Sequence, residues 1–296
     1  MSKKVLITGG AGFTGVILKE YLRSNGYTVF TTSLKPSCDE LFLDICDKQS
    51  ILGCLNRIRP NYIVHLAAIS FVGHSNELDF YNVNVIGTSN LLEVIVESKI
   101  KTEKVLISSS ANVYGNVKGK ISEANLPSPE NNYALSKYCM EKVALGYKEL
   151  PIVIVRPFNY TGYGQSEKFL IPKIVKHFAE KQSSIQLGNI NVARDFSDVR
   201  DIVRYYVELM ESKESKGIYN LCSGKETSII EIIKLMESIS NHKMDVVINK
   251  SLVRCNEIDR LFGDNSRLKK VIGKFDVIDI YETLSWIYES YCSELN

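Results

Sequence analysis

Three glycines between two opposite periodicities constrain the fold more than any other feature of the chain. Lys4-Val5-Leu6-Ile7-Thr8 is a short apolar run, Gly9, Gly12 and Gly15 follow it with Phe13 and Thr14 between, and an amphipathic stretch continues through Leu18 and Tyr21-Leu22 to Asn25-Gly26. Strand, turn and helix in that order bring the helix N-terminus to the end of the strand. Glycines at this spacing permit a tight turn, close approach of backbone to a pyrophosphate, and close packing of helix on strand. Gly9, Gly12, Phe13, Thr14 and Gly15 therefore read as the phosphate grip of a dinucleotide site.

The alternation recurs. Thr28–Thr32, Tyr62–Leu66, Val105–Ser108 and Ile152–Val155 are further strand-like runs separated by amphipathic segments. This pattern predicts an α/β fold, a Rossmann-type doubly wound parallel sheet whose ligands sit at the carboxyl ends of the strands. After Pro157 the rhythm loosens into predicted helices near 167–181, 199–212, 228–241 and 279–292, with strands near 185–187 and 218–222. The expected organisation is a dinucleotide-binding domain over 1–157, joined by returning segments near 190–222. A smaller, interleaved C-terminal α/β substrate lobe over 158–296 completes it. A chain of 296 residues, 45% of them apolar, is long enough to bury about three quarters of its unfolded surface and still leave a cleft.

Charge and cysteine usage exclude several functions. Lys and Arg total 36 against 34 Asp and Glu, a net +2, which argues against a nucleic-acid or anionic-membrane partner. No run approaches the roughly 18 apolar residues of a membrane span, and Met1-Ser2-Lys3-Lys4 precedes only three apolar residues, so the chain is expected to be cytoplasmic. The seven cysteines, odd in number and scattered, read as reduced thiols with no metal site.

The second strand is followed by Thr31-Thr32-Ser33-Leu34-Lys35, where a carboxylate would mark a free ribose 2′-hydroxyl. Ser33 and Lys35 instead suit a 2′-phosphate, so NADP(H) is favoured and NAD(H) remains possible. Asp44-Ile45 reads as an adenine contact; the alternative is Asp44 as a helix cap before Lys48. Farther on, Ser108-Ser109-Ser110 leaves a strong strand, and Tyr133 and Lys137 stand four apart on a predicted helix, on one face. A phenol titrating near 10 is a poor acid or base at neutral pH. A neighbouring ammonium and an oxidised nicotinamide together can lower it, while the Ser110 hydroxyl hydrogen-bonds the substrate oxygen that gains or loses the proton.

Taken together with His65-Leu66-Ala67-Ala68, Asn84 to Leu92, Tyr114-Gly115 and Arg156-Pro157-Phe158-Asn159, these motifs resemble the extended short-chain dehydrogenases/reductases of nucleotide sugars over nearly the whole chain. The resemblance implies a Ser110-Tyr133-Lys137 triad. It also implies that Leu66, Ala67, Ala68, Ser108 and Pro157 line the dinucleotide, that Asn84 is mainly structural, and that the enzyme is a homodimer through helices near 84–98 and 133–149. Ser70-Phe71-Val72, Asn159 to Gln165, Gly188 to Phe196 and Arg254 to Ile258 are most similar to the GDP-6-deoxy-4-keto-D-mannose reductases and the GDP-mannose 4,6-dehydratases. That similarity implies substrate contacts at Ser70, Ser110, Asn159, Arg194, Arg254 and Glu257. Cys255 departs from the commoner Arg-Pro pairing, and Arg194-Asp195 has the alternative reading of a surface ion pair. Dehydratases of this group carry a Thr-Asp-Glu triplet where this chain has Ser110-Ala111-Asn112, which cannot drive elimination by acid-base chemistry near neutrality. The resemblance thus implies NAD(P)H-dependent reduction of a nucleotide-linked 4-keto-6-deoxy sugar, GDP-6-deoxy-4-keto-mannose to GDP-D-rhamnose. A 4-epimerase or a 4,6-dehydratase is the alternative.

Overall fold

The computed structural model describes residues 2–252 and 260–295. The early strands are β1 (Lys4–Thr8), β2 (Thr28–Ser33), β3 (Glu40–Phe42), β4 (Tyr62–His65), β5 (Lys104–Ser108), β6 (Gly119–Ile121) and β7 (Ile152–Pro157). All but β6 join the strand Gly217–Leu221 in a seven-stranded sheet, ordered Gly217–Leu221, β7, β5, β4, β1, β2, β3, with every pairing parallel. The expected Rossmann-type sheet is thus present, with the strand Gly217–Leu221 at its edge beside β7. Strand order reverses between β1 and β4, which opens the crevice where such sheets take ligands. Register sets Thr8 beside Thr32 and His65, and Ser108 beside Val155, so the functional candidates share one edge.

Because side chains alternate across a strand, each strand feeds two cores. Val5 and Ile7 pack with Leu18 and Leu22 of α1 (Phe13–Ser24) and with Ile202 and Tyr206 of the helix Val199–Glu211. Leu6, Ile63 and Val105 face the other way, onto Ile51 and Leu55 of α2 (Lys48–Ile58) and onto Leu91 and Ile95. A third core, around Ile174, Phe178, Leu187, Ile232, Met236 and Ile287, lies within the C-terminal half.

The helix expected near 84–98 is more irregular than its sequence suggests. A single turn, α3 (Glu77–Asp79), runs into a π-helix over Phe80–Gly87 and then into α4 (Thr88–Glu97). A Cβ on Gly87 would lie 2.6 Å from Ile45 Cγ2, so glycine lets this wide turn sit against Ile45. π-helical turns inside α-helices are rare and are frequent at functional sites. Among the described residues no helix is long and apolar enough to cross a membrane.

Candidate active site

The glycine loop is fitted against its neighbours by backbone rather than side chains. Gly9 has φ +70°, and a Cβ there would fall 2.8 Å from the N and Cα of Ala67. Gly10 N–H donates to Thr32 O at 3.0 Å, and a Cβ on Gly15 would reach within 2.6 Å of Gly10 O. The turn is thereby pinned between the ends of β2 and β4. Gly12 caps α1 and has no side chain to bond the first amides of the helix, the groups an anion would use. Phe13 stacks on Tyr160 with centroids 6.1 Å apart, and the Thr14 and Tyr160 hydroxyls pair at 2.7 Å, joining the loop to β8 (Asn159–Thr161).

Leu66, Ala67 and Ala68 leave β4 partly exposed, and Ser70 is exposed. Two buried groups hold this segment. His65 pairs with the hydroxyls of Thr8 (2.7 Å) and Thr88 (2.9 Å); burial, helped by Lys137, takes its pKa down to about 3, so it is neutral. Asn84 accepts from Ile69 N–H at 2.9 Å, donates to Ile69 O at 3.2 Å, and donates to Ser136 Oγ at 2.9 Å. Asn84 therefore ties the loop after β4 to the helix that carries Tyr133 and Lys137.

That helix is α5 (Asn132–Gly146), capped by Asn131, which accepts from Ala134 N–H. Tyr133 and Lys137 are both buried. Ser110 Oγ accepts from Asn112 N–H at 3.2 Å, and its side chain stands close enough to the Tyr133 phenol to favour the ionised form. Lys137 Nζ donates to the carbonyl of Ser108 at 2.8 Å. The structure brings together Ser108, Ser110, Tyr133 and Lys137. Burial pushes the Tyr133 phenol up to about 12, against the Ser110 side chain, which lowers it. Burial likewise takes Lys137 down to about 8, opposed by Glu141. The ammonium gives one of its three N–H groups to the Ser108 carbonyl, and desolvation sets the direction in which both groups move.

Glu141 and Arg156 were missed as partners of this site. Glu141 stands one turn past Lys137, and Arg156 grips it from β7 with Nε to Oε1 at 2.8 Å and Nη2 to Oε2 at 2.5 Å. Glu141 Oε1 also accepts from Ser109 Oγ at 2.6 Å, and the guanidinium lies 4.7 Å from the Tyr114 ring centroid. The signal was the four-residue spacing of Tyr133, Lys137 and Glu141. Tyr206, also unanticipated, places its hydroxyl 3.0 Å from Ser108 Oγ.

The remaining candidates scatter around this centre. Ser33 is partly exposed at the end of β2, and Lys35 is exposed. Ile45 is only 6% exposed and packs on Gly87, so its side chain belongs to the core; Asp44 is half-buried and accepts from Cys46 N–H. Asp44 does not cap α2: Asp47 does, accepting from Gln49 N–H. Pro157 is buried and Asn159 exposed. Arg194 lies on the two-residue strand Ala193–Arg194 and donates to Ala193 O. Asp195 is no surface residue; it is 1% exposed and accepts the backbone N–H groups of Ser223, Gly224 and Gly263. Arg254 and Glu257 lie outside the described residues. Ser110 begins a 3-10 turn over Ala111–Tyr114, with Ala111 buried and Asn112 exposed, and neither can act as a carboxylic acid.

The family model for GDP-mannose 4,6-dehydratase matches residues 6–282. The chain belongs to this family. Two relatives align over nearly the full length. GDP-6-deoxy-D-talose 4-dehydrogenase of Aggregatibacter actinomycetemcomitans is 37% identical over 99% of both chains. GDP-6-deoxy-D-mannose reductase of Pseudomonas aeruginosa is 30% identical over 100% of this chain and 99% of its own. The solved structure of RMD from Pseudomonas aeruginosa, complexed with NADPH, superposes with a TM-score of 0.88 at 30% identity over 99% of each chain. This member of the GDP-mannose 4,6-dehydratase family is an enzyme of the extended short-chain dehydrogenase/reductase class, built for oxidoreduction of nucleotide sugars.

Proposed function

We propose that the enzyme reduces the 4-keto group of a GDP-linked 4-keto-6-deoxy hexose, GDP-6-deoxy-4-keto-mannose, using NADPH in preference to NADH. The observation that carries this reading is the buried Tyr133 and Lys137 on one face of α5, with half-buried Ser110 beside the phenol and Lys137 Nζ on the Ser108 carbonyl at the carboxyl edge of the sheet. The glycine loop, Lys137 and the segment Leu66 to Ala68 are the groups that would hold the dinucleotide, which when bound supplies the hydride. The protein's share is proton delivery. A phenol held at about 12 is fully protonated at neutral pH, the state needed to give a proton to the oxygen formed from a ketone. Ser110 orients that oxygen, and Lys137 orients the ribose and steadies the phenolate as it forms. Ala111 and Asn112 leave this triplet without the acid-base pair that elimination needs.

The product follows from the face of attack. Motif similarity favours the D-manno product, GDP-D-rhamnose, whereas the 37% identical relative is named for the C4 epimer and supports GDP-6-deoxy-D-talose as a second reading. In the same reading the enzyme works in the cytoplasm as a homodimer, for which exposed Ile86 of the π-helix and Leu135 of α5 supply apolar surface. The test is incubation with GDP-6-deoxy-4-keto-mannose and NADPH carrying a transferable deuteride. The cofactor should be oxidised stoichiometrically with label at the sugar's fourth carbon. A large H3–H4 coupling in the product identifies the manno epimer, a small one the talo epimer. Label retained on the cofactor while the sugar is isomerised, or, in a parallel incubation with GDP-mannose, while that sugar loses water, overturns the reductase reading in favour of epimerase or dehydratase.

A further inference from the structure

We infer that Glu40 is a specificity-determining residue at the adenosine-ribose end of the dinucleotide site, a carboxylate delivered there by β3 rather than by the end of β2. The inference rests on reading the glycine loop as that site. β2 ends at Ser33, the position from which a residue reaches the ribose hydroxyls in sheets of this kind. Gly10 N–H donates to Thr32 O at 3.0 Å, which fixes the glycine loop beside this strand end. The chain then turns through Leu34 to Asp39 and comes back parallel to β2 as β3, with Ser33 opposite Phe42 and Thr31 opposite Glu40.

The turn aims Glu40 at the strand end. Its Oε2 accepts from Ser33 Oγ at 3.4 Å, from Ser37 N–H at 3.1 Å and from Ser37 Oγ at 3.2 Å. The carboxylate is partly exposed, and among the described residues no ion pair neutralises it. A carboxylate at this point accepts hydrogen bonds from the 2′- and 3′-hydroxyls of an unphosphorylated ribose. Against a 2′-phosphate it sets like charge on like charge. Ser33 and Lys35 favour the phosphate, and Glu40 opposes them. Glu40 therefore limits how far this edge prefers NADPH over NADH.

Titration with 2′,5′-ADP and with 5′-AMP, adenosine fragments that carry and lack the 2′-phosphate, tests this without turnover. Glu40→Gln should tighten 2′,5′-ADP by about tenfold at low salt, the scale of one partly exposed like-charge contact, and should not tighten 5′-AMP. The gain should shrink in high salt, where such contacts are screened. The ratio of kcat/KM for NADPH over NADH should rise in step. Asp39→Asn, which removes an exposed carboxylate in the same turn, serves as the control and should leave both ratios unchanged. Equal tightening by Asp39→Asn, or a fragment ratio that Glu40→Gln does not move, overturns the assignment while leaving the dinucleotide site standing. Failure of the unaltered enzyme to bind either fragment or NADPH overturns the dinucleotide site itself, and Glu40's role with it.

Discussion

Tyr133 and Lys137 are shifted in opposite directions by one cause. Burial disfavours the charged form, which is the phenolate in one case and the ammonium in the other, so the phenol rises to about 12 and the amine falls to about 8. Proton delivery needs the phenol neutral and the amine charged. Both conditions hold below about pH 8, and the second fails above it. The rate of reduction, as kcat/KM, should be level near neutrality and fall tenfold per unit once pH passes about 8, as Lys137 loses its proton. Stability should move the other way. The unfolded lysine titrates near 10.4, so between these values the unfolded chain binds the extra proton, and this group makes folding more favourable as pH rises. Loss of rate with retained structure by circular dichroism distinguishes titration from unfolding. A level profile through about pH 9.5 would show that the charge on Lys137 is not needed. Tyr133→Phe removes the donor but leaves the glycine loop untouched, so turnover should drop by about 10²- to 10⁴-fold while NADPH affinity holds. A variant that keeps turnover within tenfold would remove Tyr133 from the role of proton donor.

α5 is held on the sheet by a buried ion pair, and that pair sets what the helix tolerates. Glu141 is 1% exposed and bonded to both Arg156 and Ser109, so removing the arginine leaves a carboxylate in the core with one hydroxyl for company. Arg156→Met should cost about 3–5 kcal/mol in urea unfolding, whereas Glu141→Leu with Arg156→Met should recover most of the loss by removing both charges. If the double variant is no more stable than the single one, the cost lies in the stacking of Arg156 on Tyr114. The face of α5 was legible because a four-residue spacing is a local property of the chain. So were the main strands and the glycine loop, whose residues carry their own periodicity. The π-helix was not, since Gly87 widens the turn against Ile45, a residue more than forty positions away. Glu40 was invisible for a related reason: the ribose edge was read along β2, and the carboxylate arrives from the next strand. Asp195 misled in the opposite sense, because nothing next to it in sequence announces the three backbone N–H groups that bury it.

One of the two main-sheet cores and the C-terminal core meet at a single tryptophan that touches both. Trp286 packs against the first and the third clusters, and it is the one tryptophan of the chain. The Arg200 guanidinium lies 4.3 Å from its ring centroid while Arg200 Nη2 holds Asp198, the cap of the helix Val199–Glu211 on the main sheet. Gly162 closes the junction, since a Cβ there would fall 2.4 Å from Val199 Cγ1 and 3.1 Å from Trp286 Cζ3. Contacts this close couple the two cores, and coupled cores unfold together. Tryptophan emission therefore reports the junction, and far-UV circular dichroism reports the helices of both sides. In urea the two signals should trace one transition with one midpoint. Gly162→Val, which forces a branched side chain between Val199 and Trp286, should split them, the emission change coming first. Two separate transitions in the unaltered enzyme would mean that the C-terminal core folds as a unit of its own and that Trp286 only lies against its neighbour.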